Sequence, residues 1–191
     1  MKFKKEFNMY TSRNKQESRA LITKLDLNTV PEVFLANNDY VGMKSFIDNN
    51  KAKRYVVRDA EHASSKYFYV DDLSACKEAA KQFSGKIILA VSLNSYENKL
   101  LLGAVEICED KIKICATTDS TKDHRTLYDN PEFNYATDIF DKRLSSIPCF
   151  DDLYKFVLDN KLEGLTIEFT VYDKLVGNKK QKILINELRN Y

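Results

Sequence analysis

Leu165-Thr166-Ile167-Glu168-Phe169, and after it Ile183-Leu184-Ile185-Asn186-Glu187-Leu188-Arg189, are two sheet-forming apolar runs with acids set inside them. A carboxylate in a half-buried strand loses hydration unless a cation, a metal or several donors offset the loss. After Gly164 the alternation puts Leu165, Ile167, Phe169 and Val171 on one face and Thr166, Glu168, Thr170 and Tyr172 on the other. Glu168 is thus on the polar face, where a solvated sheet surface explains it as well as a site does. By the same parity Glu187 shares the face of Ile183 and Ile185, with Arg189 two positions along. That pattern fits a charged-ligand site, and it also fits a salt bridge at a strand end. The segment Lys174 to Gln181 leaves the hairpin register open, and a slip of one residue flips the face. If the two acids meet, they could form a magnesium site, since that ion takes one or two carboxylates plus phosphate oxygens.

Working outward, an Asn14 to Glu17 capping box and Leu21, Ile22 and Leu25 predict a helix over about 13–25. Val30 to Leu35 reads as an edge-compatible strand because of Pro31, and Asn38 caps a helix with Val41, Phe46 and Ile47. Strands at Arg54 to Arg58 and Tyr67 to Val70 flank a polar loop, and Asp71 or Asp72 caps a helix with Leu73, Cys76, Ala80 and Phe83. From Lys86 the period changes to two, predicting a meander at Ile87 to Asn94, Leu100 to Cys108 and Lys111 to Thr117. Thr118 to Ser146 reads as a long polar loop, of a length that is often functional. Asp151 or Asp152 starts a helix with Leu153, Phe156 and Val157. The expected architecture is α+β, with mainly antiparallel sheets in two lobes, 1–85 and 86–191. No internal repeat interrupts it.

At 191 residues the chain can bury about 70% of its unfolded surface without a staple. With 43% hydrophobic and 30% charged residues, 5 Gly and 3 Pro, it is an ordinary globular composition with no long flexible linker. A net charge of +2, spread along the chain, lacks the concentrated positive field that nucleic-acid backbones require. The 11 Tyr and 11 Phe suit stacking on single strands, but the same charge counts against it. The basic start at Met1 to Phe7 is followed by no apolar core, so neither a signal peptide nor a membrane anchor is expected and the chain is read as cytoplasmic. Cys76, Cys108, Cys115 and Cys149 form no C-x-x-C pair and read as reduced thiols. A hairpin tip at Glu109-Asp110 would set Ile107 opposite Ile112, Val105 opposite Ile114, Cys108 opposite Lys111, Cys115 opposite Ala104 and Glu106 opposite Lys113.

Arg58 opens the loop Asp59 to Lys66, a position suited to an anion, with a guanidinium fork and the point charge of Lys66. An ion pair of Arg58 with Asp59 or Glu61 is equally consistent. His124-Arg125 can carry a proton or clamp an anion, or simply be solvated. No G-x-S-x-G, G-x-x-x-x-G-K-[ST] or H-E-x-x-H sequence is present.

Taken in order, Val30-Pro31-Glu32-Val33-Phe34-Leu35, Val57-Arg58-Asp59-Ala60 and the terminal pair Ile167-Glu168-Phe169 and Ile185-Asn186-Glu187-Leu188-Arg189 resemble the nucleotide-binding part of the ATP-grasp superfamily, that of phosphoenolpyruvate synthase and pyruvate phosphate dikinase in particular. The resemblance implies a nucleotide-binding protein using ATP and Mg2+, a ligase or phosphotransferase. By that analogy Arg58 would hold phosphate and Glu168 and Glu187 would hold magnesium; beside it, Lys66 is read from the residues themselves as a second charge on the phosphates, and Arg189, His124 and Arg125 as the catalytic candidates. Asp59 stands where the family has a serine, and no Gly-rich phosphate loop is visible. The alternative is a non-catalytic interaction module on the same fold, contacting a protein partner through Tyr128 and Tyr135.

Overall fold

The computed structural model describes residues 10–12, 15–60, 66–124 and 126–190. In chain order its elements are α1 (Lys15–Lys24), β1 (Glu32–Ala36), α2 (Tyr40–Asn50), β2 (Tyr55–Asp59), β3 (Tyr67–Val70), α3 (Leu73–Ala80), β4 (Lys86–Val91), β5 (Lys99–Cys108), β6 (Lys111–Thr117), β7 (Phe133–Asp138), α4 (Phe150–Asp159), β8 (Thr166–Val176) and β9 (Gln181–Arg189). Helices and two antiparallel sheets make the α+β architecture that the sequence predicts. No helix among the described residues is long and apolar enough to cross a membrane. Asn14 lies outside the described residues, so its capping box does too.

One unit is Val30–Glu97. Its sheet runs β1-β4-β2-β3, with β1 at an edge as Pro31 requires. Leu35, Val57, Ile87 and Leu89 pack with Met43 and Phe46 of α2 and Cys76, Ala79 and Ala80 of α3. The cap of α2 is Asp39, whose carboxylate accepts from Gly42 N at 2.9 Å, and not Asn38. Asp72 caps α3 through Ala75 N at 2.8 Å. β4 corrects the expected boundary at residue 85. It pairs with both β1 and β2, and so belongs to this unit. The physical reason is that Ile87 to Val91 is apolar at every position, which suits a central strand better than a meander with one wet face.

The other unit comprises the described residues of 1–29 and 98–191. Its sheet runs β7-β6-β5-β8-β9. The β5/β6 register sets Ile107 opposite Ile112, Val105 opposite Ile114, Cys115 opposite Ala104, Cys108 opposite Lys111 and Glu106 opposite Lys113, as the hairpin reading predicts. One face packs Ile107, Ile114, Ile167, Phe169, Ile185 and Leu188 against Leu21 and Ile22 of α1 and Leu153 and Val157 of α4. The stretch 118–146 is not one loop. It holds a 3-10 turn at Leu127–Asp129, the strand β7 and a second turn at Lys142–Ser146. β7 buries Phe133, half-buries Tyr135 and Thr137 and exposes Asn134, Ala136 and Asp138, a six-residue pattern that is hard to see among Asp, Thr and Tyr.

The hairpin β8/β9 carries the decisive irregularity. Glu168 is opposite Glu187 and Phe169 is opposite Ile185, so Asn186 is an extra, bulged residue. Ile183, Ile185 and Leu188 therefore all reach the core, and Glu187 is turned away from the face that strict alternation gives it, onto that of Glu168. Buried Asn28 clamps the other end of the hairpin. Its amide nitrogen donates to the carbonyls of Val176 at 3.1 Å and Ile183 at 2.9 Å, and its oxygen accepts from Lys179 N at 2.9 Å.

Candidate functional site

On the polar face of β8 and β9 the Arg189 guanidinium lies between two carboxylates. Nη2 donates to Glu168 Oε1 at 2.5 Å and to Glu187 Oε2 at 3.0 Å, and Nε lies 2.8 Å from Glu187 Oε1. Both acid side chains are 14% exposed. Burial raises the Glu168 carboxyl above its ordinary value, the charge of Glu187 adds to this, and Arg189, Lys15 and Arg19 oppose it. The acids therefore meet, and they do so through the bulge.

His124 joins them from the segment after β6. Asn186 Nδ2 donates to Thr170 Oγ1 at 3.0 Å and lies 2.6 Å from His124 Nε2. An amide nitrogen only donates, so Nε2 is the acceptor and the imidazole proton resides on Nδ1. That buried nitrogen has no hydrogen-bond partner and lies 3.9 Å from Glu168 Oε2. Burial first, then the charge of Lys99, pushes the imidazole down to about 4; Asp123 opposes this and Arg189 adds to it. His124 is thus neutral at pH 7. Lys99 donates to the carbonyl of Lys122 at 2.7 Å, and burial lowers its own pKa against Asp123 and Asp119. The result is a half-dry face with cationic and neutral donors beside an acid pair that shares one guanidinium.

Glu168, Glu187, Arg189 and His124 are brought together as a group, whereas Arg125 lies outside the described residues. Arg58, in the other unit, pairs with Glu32 at 3.4 Å across their sheet. Lys66 places its ammonium over the rings of Phe68 and Phe83, at 5.6 and 5.9 Å. Those rings pack on the core face, while Arg58 is opposite Tyr67 on the other, so Arg58 and Lys66 do not form one clamp. Sequence reasoning missed Asn186, Thr170 and Lys99. An Asn inside the run Ile183 to Leu188 was the available signal, since Asn is disfavoured in regular strands and tolerated at a bulge. Nothing local marks Lys99.

Magnesium does not fit the acid pair as it stands. Both oxygens of Glu187 and one of Glu168 are taken by Arg189. Among the described residues no group of three or more His, Cys, Asp or Glu is arranged to hold a metal ion.

No family model matches this chain, and no curated protein sequence matches it. Solved structures do. D-alanyl-alanine synthetase A from Vibrio cholerae superposes with a TM-score of 0.51 at 18% identity, over 94% of this chain and 55% of that one. An ADP complex of N5-carboxyaminoimidazole ribonucleotide synthetase gives 0.53 at 14% identity, over 95% of this chain and 46% of that one. The fold is ATP-grasp-like. D-alanine-D-alanine ligase from Coxiella burnetii shares it at a TM-score of 0.50 and 11% identity, over 92% of this chain and 47% of that one. The chain spans about half the length of these ATP-grasp structures.

Proposed function

We propose that this chain binds an adenine nucleotide on its ATP-grasp-like fold. The observation that supports this reading best is the half-dry donor face around His124. There the ammonium of Lys99, the guanidinium of Arg189 and the unpartnered Nδ1–H of His124 offer charge and hydrogen bonds to phosphate oxygens. A buried donor with no acceptor costs free energy, and an anionic ligand would offset that cost. The likeness to an enzyme whose structure holds ADP supports the same ligand class. Ligase chemistry, as named for the similar structures, or phosphotransfer of the phosphoenolpyruvate synthase kind, is the enzymatic form of this reading.

Calorimetric titration with ATP in EDTA and again with Mg2+ tests it. Saturable binding is expected, weakened about tenfold or more in Lys99→Met, the loss of one charge-assisted contact. Unchanged affinity in Lys99→Met would falsify the nucleotide reading.

One observation favours a second reading, a non-catalytic interaction module. Tyr128 and Phe140 are 57% and 83% exposed on the stretch 118–146. Tyr135 is a poor anchor, since its ring packs on the core and carries the Arg143 guanidinium at 5.1 Å. Equal capture of every partner by wild type and by a Tyr128→Ala/Phe140→Ala variant would count against this module.

A further inference from the structure

We propose that Arg189 is a built-in counter-ion that takes the place of a divalent metal between Glu168 and Glu187, so that this acid pair takes up neither magnesium nor manganese. The arrangement begins with the bulge. With Asn186 as the extra residue, Glu187 and Arg189 both turn onto the face of Glu168, while Leu188 turns to the core. In regular alternation the guanidinium would instead accompany Ile183 and Ile185. Once there, it faces both carboxylate oxygens of Glu187, with a hydrogen bond from Nη2 at 3.0 Å and an ion-pair contact from Nε at 2.8 Å. The same Nη2 reaches Glu168 Oε1 at 2.5 Å. One nitrogen thus bridges the two acids, as a metal ion would.

Two consequences follow for a cation arriving from solvent. Only Glu168 Oε2 lies outside these contacts, and it faces the imidazole of His124 at 3.9 Å, so a two-carboxylate ligand set is not on offer. A divalent ion beside the pair would also sit against the guanidinium, where a half-buried setting screens like charges poorly. Lys15 and Arg19 of α1 add further positive charge acting on Glu168. The triad carries one net negative charge and has its cation covalently attached. Its resemblance to a metal-binding acid pair is thus one of placement and not of capacity.

The experiment uses manganese alone with the full chain, read by electron paramagnetic resonance and by calorimetry, with no nucleotide present. Wild type should show no saturable uptake at millimolar manganese. Arg189→Ala should gain a single site, at least about tenfold tighter than any wild-type uptake, and Arg189→Ala/Glu187→Gln should lose it. Arg189→Lys, which keeps the charge, should stay without one. Should Arg189→Ala fail to fold, Arg189→Gln replaces it, keeping donors and reach without the charge. A saturable wild-type site that disappears in Glu187→Gln overturns the proposal. So does a folded Arg189→Ala or Arg189→Gln that gains nothing. The proposal stands apart from the nucleotide reading, because ATP is titrated in EDTA and manganese without ATP, and either can fail alone.

Discussion

His124 shows how strongly a neighbourhood decides the chemistry of one side chain. As a histidine in a polar stretch it invites the picture of a solvated base, yet it is buried beside Lys99 and Arg189 and held neutral, with its pKa at about 4. The sign of the resulting pH dependence is defined. Between about 6.5, the unfolded value, and about 4 the unfolded chain binds the extra proton, so stability falls as the pH is lowered through that window. The loss is about 3 kcal/mol for a shift of that size. Glu168, whose pKa is raised, contributes in the opposite sense, because its desolvation cost disappears once it is protonated. Urea unfolding of wild type and His124→Gln from pH 7 to pH 4 separates the two. The variant should lose less stability than wild type over that range, and parallel curves would mean that the imidazole titrates normally.

Among the elements, the terminal hairpin depends on contacts from far along the chain. Asn28 reaches three carbonyls and one backbone N–H around the turn, and Gly177, at φ +76, leaves no room for a Cβ, which would meet Asn28 Oδ1 at 2.5 Å. Asn28→Ala leaves buried backbone groups unpaired and is expected to cost about 2–3 kcal/mol. Gly177→Ala should also destabilise, through the left-handed backbone and the clash together. Both are checked by chemical denaturation, and a change within about 0.5 kcal/mol for Asn28→Ala would remove the clamp from the account.

For the molecule as a whole, the chain builds two separate apolar clusters, one around β4 and one around β5 and β8. Each unit holds a buried thiol, Cys76 within the cluster around β4 and Cys108 at the end of β5 in the other unit. Burial pushes Cys76 up to about 11, so it should resist alkylation until its own core opens. Pulsed thiol labelling in rising urea is expected to expose Cys76 and Cys108 at different midpoints. Coincident midpoints would mean that the two clusters melt as one cooperative unit.

Much of this was legible in the amino-acid order. The β5/β6 register followed from a two-residue tip at Glu109-Asp110, and the polar face of β8 followed from alternation after Gly164. Both are local, since hairpin register and strand parity depend on residues close along the chain. The short stretches that resemble ATP-grasp sequences likewise pointed to an ATP-grasp-like fold, which the solved structures share. Tertiary structure alone decided the rest. β4 finds its partners in β1 and β2 because pairing across more than 25 residues of chain is settled by which sheet buries an all-apolar strand. Glu187 changes face because a bulge at Asn186 lets Ile185 and Leu188 both reach the core. The same bulge brings Arg189 onto the two acids, and packing brings His124 beside them, a meeting of residues more than 40 positions apart that no local pattern encodes.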